Sequence, residues 1–310
     1  MSARRLFLCC SVILVAGAAR AQQRGVLVAP AALDAASRKA LAADVAHARA
    51  VQPGAFAELA ALRAQVADLD ARKRGPIAPI ALELKGLGPQ ALLPMLEMVA
   101  LSAEPRGELT DSAWLALRSG LLEAVGQLRD PRAAPVLRAV LASDVTDHLV
   151  VRAAAEALGR LGDEAAVATL LAAADGPKRT SVLTGMGACR RAKIAEKLAH
   201  ELDLRPAPVE AKMLARSLSD VGNSWAWALP VVAASGEGAA TRAIAARSLV
   251  SAYLAYEGDV RDDVSNALLV VDDPSTPGLI AAVARTASAE QRAALEKLSA
   301  RFARNPVHRQ

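Results

Sequence analysis

At 310 residues the chain can bury a large core, yet aromatics supply only 3% of it against 53% hydrophobic residues overall. Such a core is built from alanine, leucine and valine packed as helices, not from the large fillers of an ordinary mixed domain. The 37 basic and 32 acidic side chains give a net charge of +5 without a concentrated basic stripe, which excludes a protein that tracks nucleic acid by displacing its counterions.

The chain opens with a leader. Arg4 and Arg5 precede the apolar run "LFLCCSVILVAG", and small residues then lead to "ARA" at 19–21. A positive start, a short apolar middle and an A-x-A end are the order of a secretory signal peptide. The run is shorter than the roughly 20 apolar residues that span a bilayer. We therefore expect cleavage after Ala21, export to the periplasm or the exterior, and no stable membrane span afterwards. Cys9 and Cys10 lack the small residues that precede a lipid-modified cysteine. Removal of residues 1–21 takes three arginines and no acids, so the net charge falls from +5 to +2. Cys189 is then the single thiol, no intramolecular disulfide is available, and packing has to hold the fold.

Residues 22–75 read as an N-terminal helical cap. Two helices fall within 34–74, and Phe56, Leu59, Leu62, Val66 and Leu69 form one stripe before "KRGP" breaks it. The stripe suits a coiled-coil seam or a face that covers the open end of an array. Its shortness favours the cap.

A period governs residues 76–302. Displaced by 33 positions, "LLEAVGQLRDPRAAPVLRAVL" at 121–141 aligns with "AAEALGRLGDEAAVATLLAAA" at 154–174: Glu123 meets Glu156, Gly126 meets Gly159, Leu128 meets Leu161, Asp130 meets Asp163 and Leu137 meets Leu170. Such a period signals a solenoid. In one unit, Ala154, Ala155, Leu158 and Leu161 make the apolar stripe of a first helix, and Gly159 and Gly162 are expected to end it. Asp163 then caps a second helix, with Glu164 in its first turn and Val167, Leu170 and Leu171 on its inner face.

Weaker copies extend the pattern both ways. Residues 82–99 hold an earlier corner, Gly187 stands near the corner of 184–202, and Asn223 takes the corner of 215–232, with "SWAWALPVV" as its returning helix. Residues 243–256 read as another first helix, and Ser288 caps a closing helix before a tail at 303–310. About six units fit. The fold class expected is all-α, an α-solenoid of stacked antiparallel helical hairpins.

"VRAAAEALGRLGDEAAVATLL" at 151–171 resembles the HEAT repeat, in particular the bacterial HEAT-like form associated with phycobilisome lyases. The resemblance rests on Val151, Arg152, the alanine run, Leu158-Gly159, Leu161-Gly162-Asp163 and Leu170, and in the preceding unit on Gly126, Leu128, Asp130, Pro131, Pro135 and Leu137. It implies stacked hairpins with a long concave surface lined by the second helices. That geometry makes Arg138, Lys193 and Lys197 contact candidates.

Candidates for chemistry are few. His47, His148, His200 and His308 stand far apart and outside any metal-binding spacing. A HEAT-like hydroxylase family binds iron through several His-Glu pairs, whereas this chain has one, at 200–201. No metal or cofactor is expected. Cys189 aligns with Leu161 and so faces the core, where a thiol stays protonated, although Arg190 and Arg191 would activate it if it were exposed. The acidic stretches 258–266 and 271–277 lack calcium-loop spacing and read as solvated loops. Trp227 aligns with an inner-face position, which leaves Trp225 as the exposed aromatic and a binding-surface candidate.

No catalytic residue emerges, so the functional expectation is an exported, non-catalytic protein-protein interaction scaffold or adaptor. Its partner would be another protein or an envelope component. The alternatives are a lyase-type enzyme and a self-associating structural envelope protein.

Overall fold

Alanine and glycine at the helix crossings set the architecture. In the computed structural model, which describes residues 24–306, Ala153, Ala154, Ala155 and Ala157 are fully buried on one helix. With no large side chain between them, neighbouring backbones come into direct contact. The leader and its cleavage point, and His308 with the last of the tail, lie outside the described residues.

Among the described residues the chain is built of helices and turns, with no strand. It begins with α1 (Ala35–Val51) and α2 (Pro53–Ala71), followed by α3 (Ile80–Gly86) and α4 (Leu92–Ala100). The most regular stretch comprises α5 (Asp111–Leu128), α6 (Ala134–Ala142), α7 (His148–Leu161) and α8 (Glu164–Ala174). Next come α9 (Arg179–Gly185), α10 (Ala192–Asp203) and α11 (Pro208–Gly222), then two single-turn pieces, α12 (Ser224–Trp227) and α13 (Pro230–Ala233). The chain closes with α14 (Gly238–Ala255), α15 (Gly258–Val271), α16 (Thr276–Ala284) and α17 (Ala289–Ala303).

These helices stack in two rows. The first row runs α3, α5, α7, α9, α11, α15, and the second runs α4, α6, α8, α10, α14, α16, each helix packing on its neighbours in the row. The protein is an all-α solenoid of antiparallel hairpins. Helices α1 and α2 lie against α4 and α5, burying Phe56, Leu59, Leu62 and Val66 within the chain. The stripe is thus covered internally and is not an open coiled-coil seam. Residues ahead of α1 also join the stack, since the Val26 amide donates to the Met98 carbonyl at 2.8 Å.

The corners are made as the repeat requires. Gly162 closes α7 in the left-handed region (φ 69°), where a β-carbon is disfavoured. The Asp163 carboxylate then accepts the Ala166 amide at 2.6 Å, capping α8. At the far end Ser288 and Gln291 form a reciprocal capping box that starts α17.

Four expectations are corrected. Gly159 does not end α7 but lies inside it; a β-carbon there would fall 2.8 Å from the Cys189 amide nitrogen, so the glycine serves close approach and not capping. Residues 243–256 belong to the second row, because α14 packs along α10 and Ser248 Oγ donates to Asp203 Oδ1 at 3.0 Å. The acidic stretch 258–266 is no loop. Its Val260, Val264 and Ala267 recur at helical spacing and are buried as the inner face of α15. Finally, the start of the expected tail is docked: Asn305 is buried and its Nδ2 donates to the Leu269 carbonyl at 2.9 Å.

The close approach at Gly159 is testable. Gly159→Ala is expected to lower the free energy of unfolding by about 1–3 kcal/mol through overpacking, read from urea denaturation followed by circular dichroism. Gly278→Ala, whose β-carbon meets nothing within 4 Å, is expected to raise it by up to ~1 kcal/mol.

Candidate functional site

A chain of charges runs between the first-row helices. Arg152 of α7 lies 3.8 Å from Glu123 of α5 and 3.4 Å from Glu156, one turn along its own helix. Glu156 also holds Arg160 at 3.4 Å. Burial, reinforced by the charge of Glu156, pushes the Glu123 carboxyl above its usual range. Burial likewise raises Asp220 on α11, although Arg190 opposes the shift. This ladder spends its carboxylates on structure.

The array departs from its repeat after α11. Where a returning helix was expected, residues 223–237 fold into α12 and α13 and reach back along the stack. Asn223 begins the insert by accepting the Ala226 amide at 3.1 Å. The Trp227 indole is buried and donates to the Val221 carbonyl at 2.9 Å, and Ser224 Oγ donates to the Val270 carbonyl at 3.1 Å. Pro230 opens α13 after a residue in extended conformation, which a proline enforces on its predecessor. That proline is why "SWAWALPVV" cannot run on as one helix.

Glu237 fastens the other end of the insert. One carboxylate oxygen accepts the Ala192 amide at 2.6 Å, at the start of α10, and the other accepts Arg191 Nε at 2.6 Å. The hydrogen bonds and the neighbouring Arg191 charge together outweigh burial, leaving the Glu237 carboxyl below its usual range.

Held at both ends, the insert presents an apolar face to solvent. Trp225 is 62% exposed, Leu229 51% and Val231 64%. Three of the eight exposed large apolar side chains among the described residues thus fall within seven positions of one another. Beneath the patch, Val231 also lines a small cavity shared with Arg129, Arg160, Arg190 and Arg191. Of the three exposed side chains, Val231 is the one that borders these guanidiniums. A wider cleft of about 900 Å³ opens elsewhere, between residues 24–27, 102–106 and 144–147. Of the three arginines that line it, Arg24, Arg106 and Arg118, the last two are engaged by Asp111 at 2.5 Å and Asp147 at 2.7 Å.

The residues singled out from sequence are not brought together. Trp225 sits on the exposed face of the insert. Lys193 and Lys197 stand one turn apart on α10, and Arg138 is half-buried on α6, with α8 between the two helices. Lys197 is 2.6 Å from Asp175 and 2.7 Å from Glu201, while Lys193 is 3.7 Å from Glu164. The second-row lysines are thus neutralised locally and form no open basic ridge.

Cys189 is fully buried, and burial pushes its thiol up to about 12. His148 Nδ1 lies 2.9 Å from Ser181 Oγ, and His47 and His200 are exposed. Among the described residues no group of three or more histidine, cysteine, aspartate or glutamate side chains is placed to hold a metal. No helix among them is long and apolar enough to cross a membrane.

The arginine corner went unnoticed in the sequence, although a signal exists. In the repeat alignment Arg129 and Arg190 fall at the position of Gly162, and Arg160 is two residues away. An arginine at the end of a helix is such ordinary decoration that only the insert folding over it marks the place.

Residues 107–184 match the family model described as HEAT repeats, which covers α5 through most of α9. This is the stretch in which the repeat is most regular. No curated protein matches the chain. Among solved structures it is similar to human deoxyhypusine hydroxylase in complex with glycerol, at 18% identity and a TM-score of 0.32, over 80% of this chain and 97% of that one.

The Cys189 thiol provides a check on the core beneath the site. It is expected to resist alkylation at pH 8 in the folded protein and to react fully in urea, as read by mass spectrometry of its peptide. The thiol is raised in the folded state, so the unfolded state loses its proton first as pH rises. Stability should therefore fall between pH 9 and 12, and Cys189→Ala should lack that component of the slope.

Proposed function

We propose that the protein is an exported, non-catalytic interaction scaffold that docks a segment of another protein, either free or part of the envelope, on the insert at 223–237. HEAT repeats generally serve protein-protein interaction, and that coarse role fits the solenoid described here. The observation that carries the finer reading is the exposed trio Trp225, Leu229 and Val231, of which Val231 borders a cluster of guanidiniums. A tryptophan carried on a short helix whose start is capped by Asn223 presents a large, rigid ring, which suits an anchor. The adjoining arginines favour a partner segment that carries an acidic group next to apolar side chains.

The expectation of export rests on the leader sequence at residues 1–21. A lyase-type reaction through Cys189 receives no support, since a buried thiol raised to about 12 supplies no thiolate near neutral pH.

The test is a crosslinking capture from the cell envelope with two triple variants. Trp225→Ser with Leu229→Ser and Val231→Ser is expected to lose the partner, whereas Arg138→Glu with Lys193→Glu and Lys197→Glu keeps it. The opposite pattern would move the site to the second-row helices. If light scattering instead shows a dimer that the first variant abolishes, the patch pairs two copies of this chain and the scaffold reading gives way to self-association.

A further inference from the structure

The cavity beneath α13 gathers cations from three successive hairpins. Arg129 closes α5 in the left-handed region (φ 53°), Arg160 occupies the last turn of α7, and Arg190 follows the turn after α9. All three line the same space, covered on its far side by Val232 and Ser235 of the insert.

Arginine at the end of a helix ordinarily donates to the last carbonyls and offsets the negative end of the dipole. That role occupies only part of these groups. Arg129 Nη1 donates to the Arg160 carbonyl at 3.0 Å, and Arg190 Nη1 to the Ala188 carbonyl at 3.3 Å. Arg160 Nη1 and Arg190 Nε are left buried with no hydrogen-bond partner among the described residues. A buried cationic donor without an acceptor is costly, so the corner holds more positive charge than its own acceptors satisfy.

The nearby carboxylates do not fill that need. Glu156 is divided between Arg152 and Arg160. Glu164 and Glu237 are both taken by Arg191, whose remaining nitrogen donates to the Gly162 carbonyl at 2.6 Å. Asp220 lies near Arg190, whose charge opposes the rise that burial causes in its carboxyl, yet Arg190 donates to the Ala188 carbonyl and not to it. The like charges register on one another: burial first, and then the neighbouring guanidinium, lowers both Arg129 and Arg190.

Size narrows the ligand. The cavity measures about 70 Å³, more than the ~30 Å³ share of one water and far less than the roughly 300 Å³ at which pockets begin to hold drug-sized molecules.

We propose that this cavity binds one oxyanion of carboxylate or phosphate size, held by the guanidiniums of Arg129, Arg160 and Arg190 and covered by α13. The anion would accept charge-assisted hydrogen bonds from the guanidiniums that line the space. The site is defined by arginines of the array itself, so it stands whether or not Trp225 anchors a partner.

The test is thermal unfolding and calorimetric titration of the purified protein at fixed ionic strength. The probes are inorganic phosphate and a tripeptide amide carrying one glutamate between two leucines, with chloride as the reference. Saturable binding of either probe at one site per chain is expected, falling at least tenfold in Arg190→Gln and Arg160→Gln and unchanged in Lys193→Gln. Phosphate alone would identify a free anion as the ligand, and the tripeptide alone would identify a carboxylate borne by a partner. Circular dichroism of Arg160→Gln and Arg190→Gln, each expected to match the parent protein without added oxyanion, separates loss of binding from loss of fold. Binding of neither probe, or equal stabilisation of the parent protein and both arginine variants, would overturn the site.

Discussion

The whole array depends on how closely its first-row helices approach. A β-carbon on Gly185 would fall 2.4 Å from the Arg152 carbonyl, and one on Gly159 2.8 Å from the Cys189 amide, so successive helices touch through backbone. Contact at that range leaves no space for large aromatic fillers, which accounts for a core made of alanine, leucine and valine. It also brings residues in equivalent positions of successive hairpins within a few ångströms of one another. Charges of opposite sign then pair across the row, as Arg152 does with Glu123. Charges that repeat in sign are pressed together, as at the arginine corner.

That second case draws its meaning from the break in the repeat. A regular solenoid keeps each hairpin in contact with its immediate neighbours only. The insert at 223–237 violates this rule, folding back over corners that belong to earlier hairpins. What would have been three guanidiniums at helix ends become the floor of a half-open recess under α13. The same fold-back turns Trp225, Leu229 and Val231 outward, because Trp227 and Val232 take the inward positions.

Much of the fold was legible in the sequence because a solenoid writes its geometry locally. The alignment of 121–141 with 154–174 gave the hairpin, Gly162 and Asp163 gave its corner, and Ser288 gave the closing cap. The errors cluster where local pattern carries two meanings. Gly159 has the composition of a terminator but serves contact with a neighbour that only the stack reveals. Residues 258–266 look like a solvated loop when their charges are read, and like a helix when Val260, Val264 and Ala267 are. The row to which 243–256 belongs is set by what the insert displaces, and nothing within the segment records it. Trp225 was legible as exposed because its partner Trp227 aligned with a core position. The arginines beneath α13 were not, since their significance arises only when residues as far apart in sequence as Arg129 and Val231 meet.

The Arg191–Glu237 contact has a mechanical consequence. An α-solenoid behaves as an elastic rod whose bending is shared among many small adjustments between adjacent hairpins. Arg191 reaches the end of α7 through the Gly162 carbonyl and the start of α8 through Glu164, while Glu237 ties it to the start of α10 and the approach to α14. One ion pair thus splints the middle of the rod across several hairpins at once. Flexure is displaced to the segments on either side, so a partner gripping both ends of the molecule would bend the ends about a stiff centre.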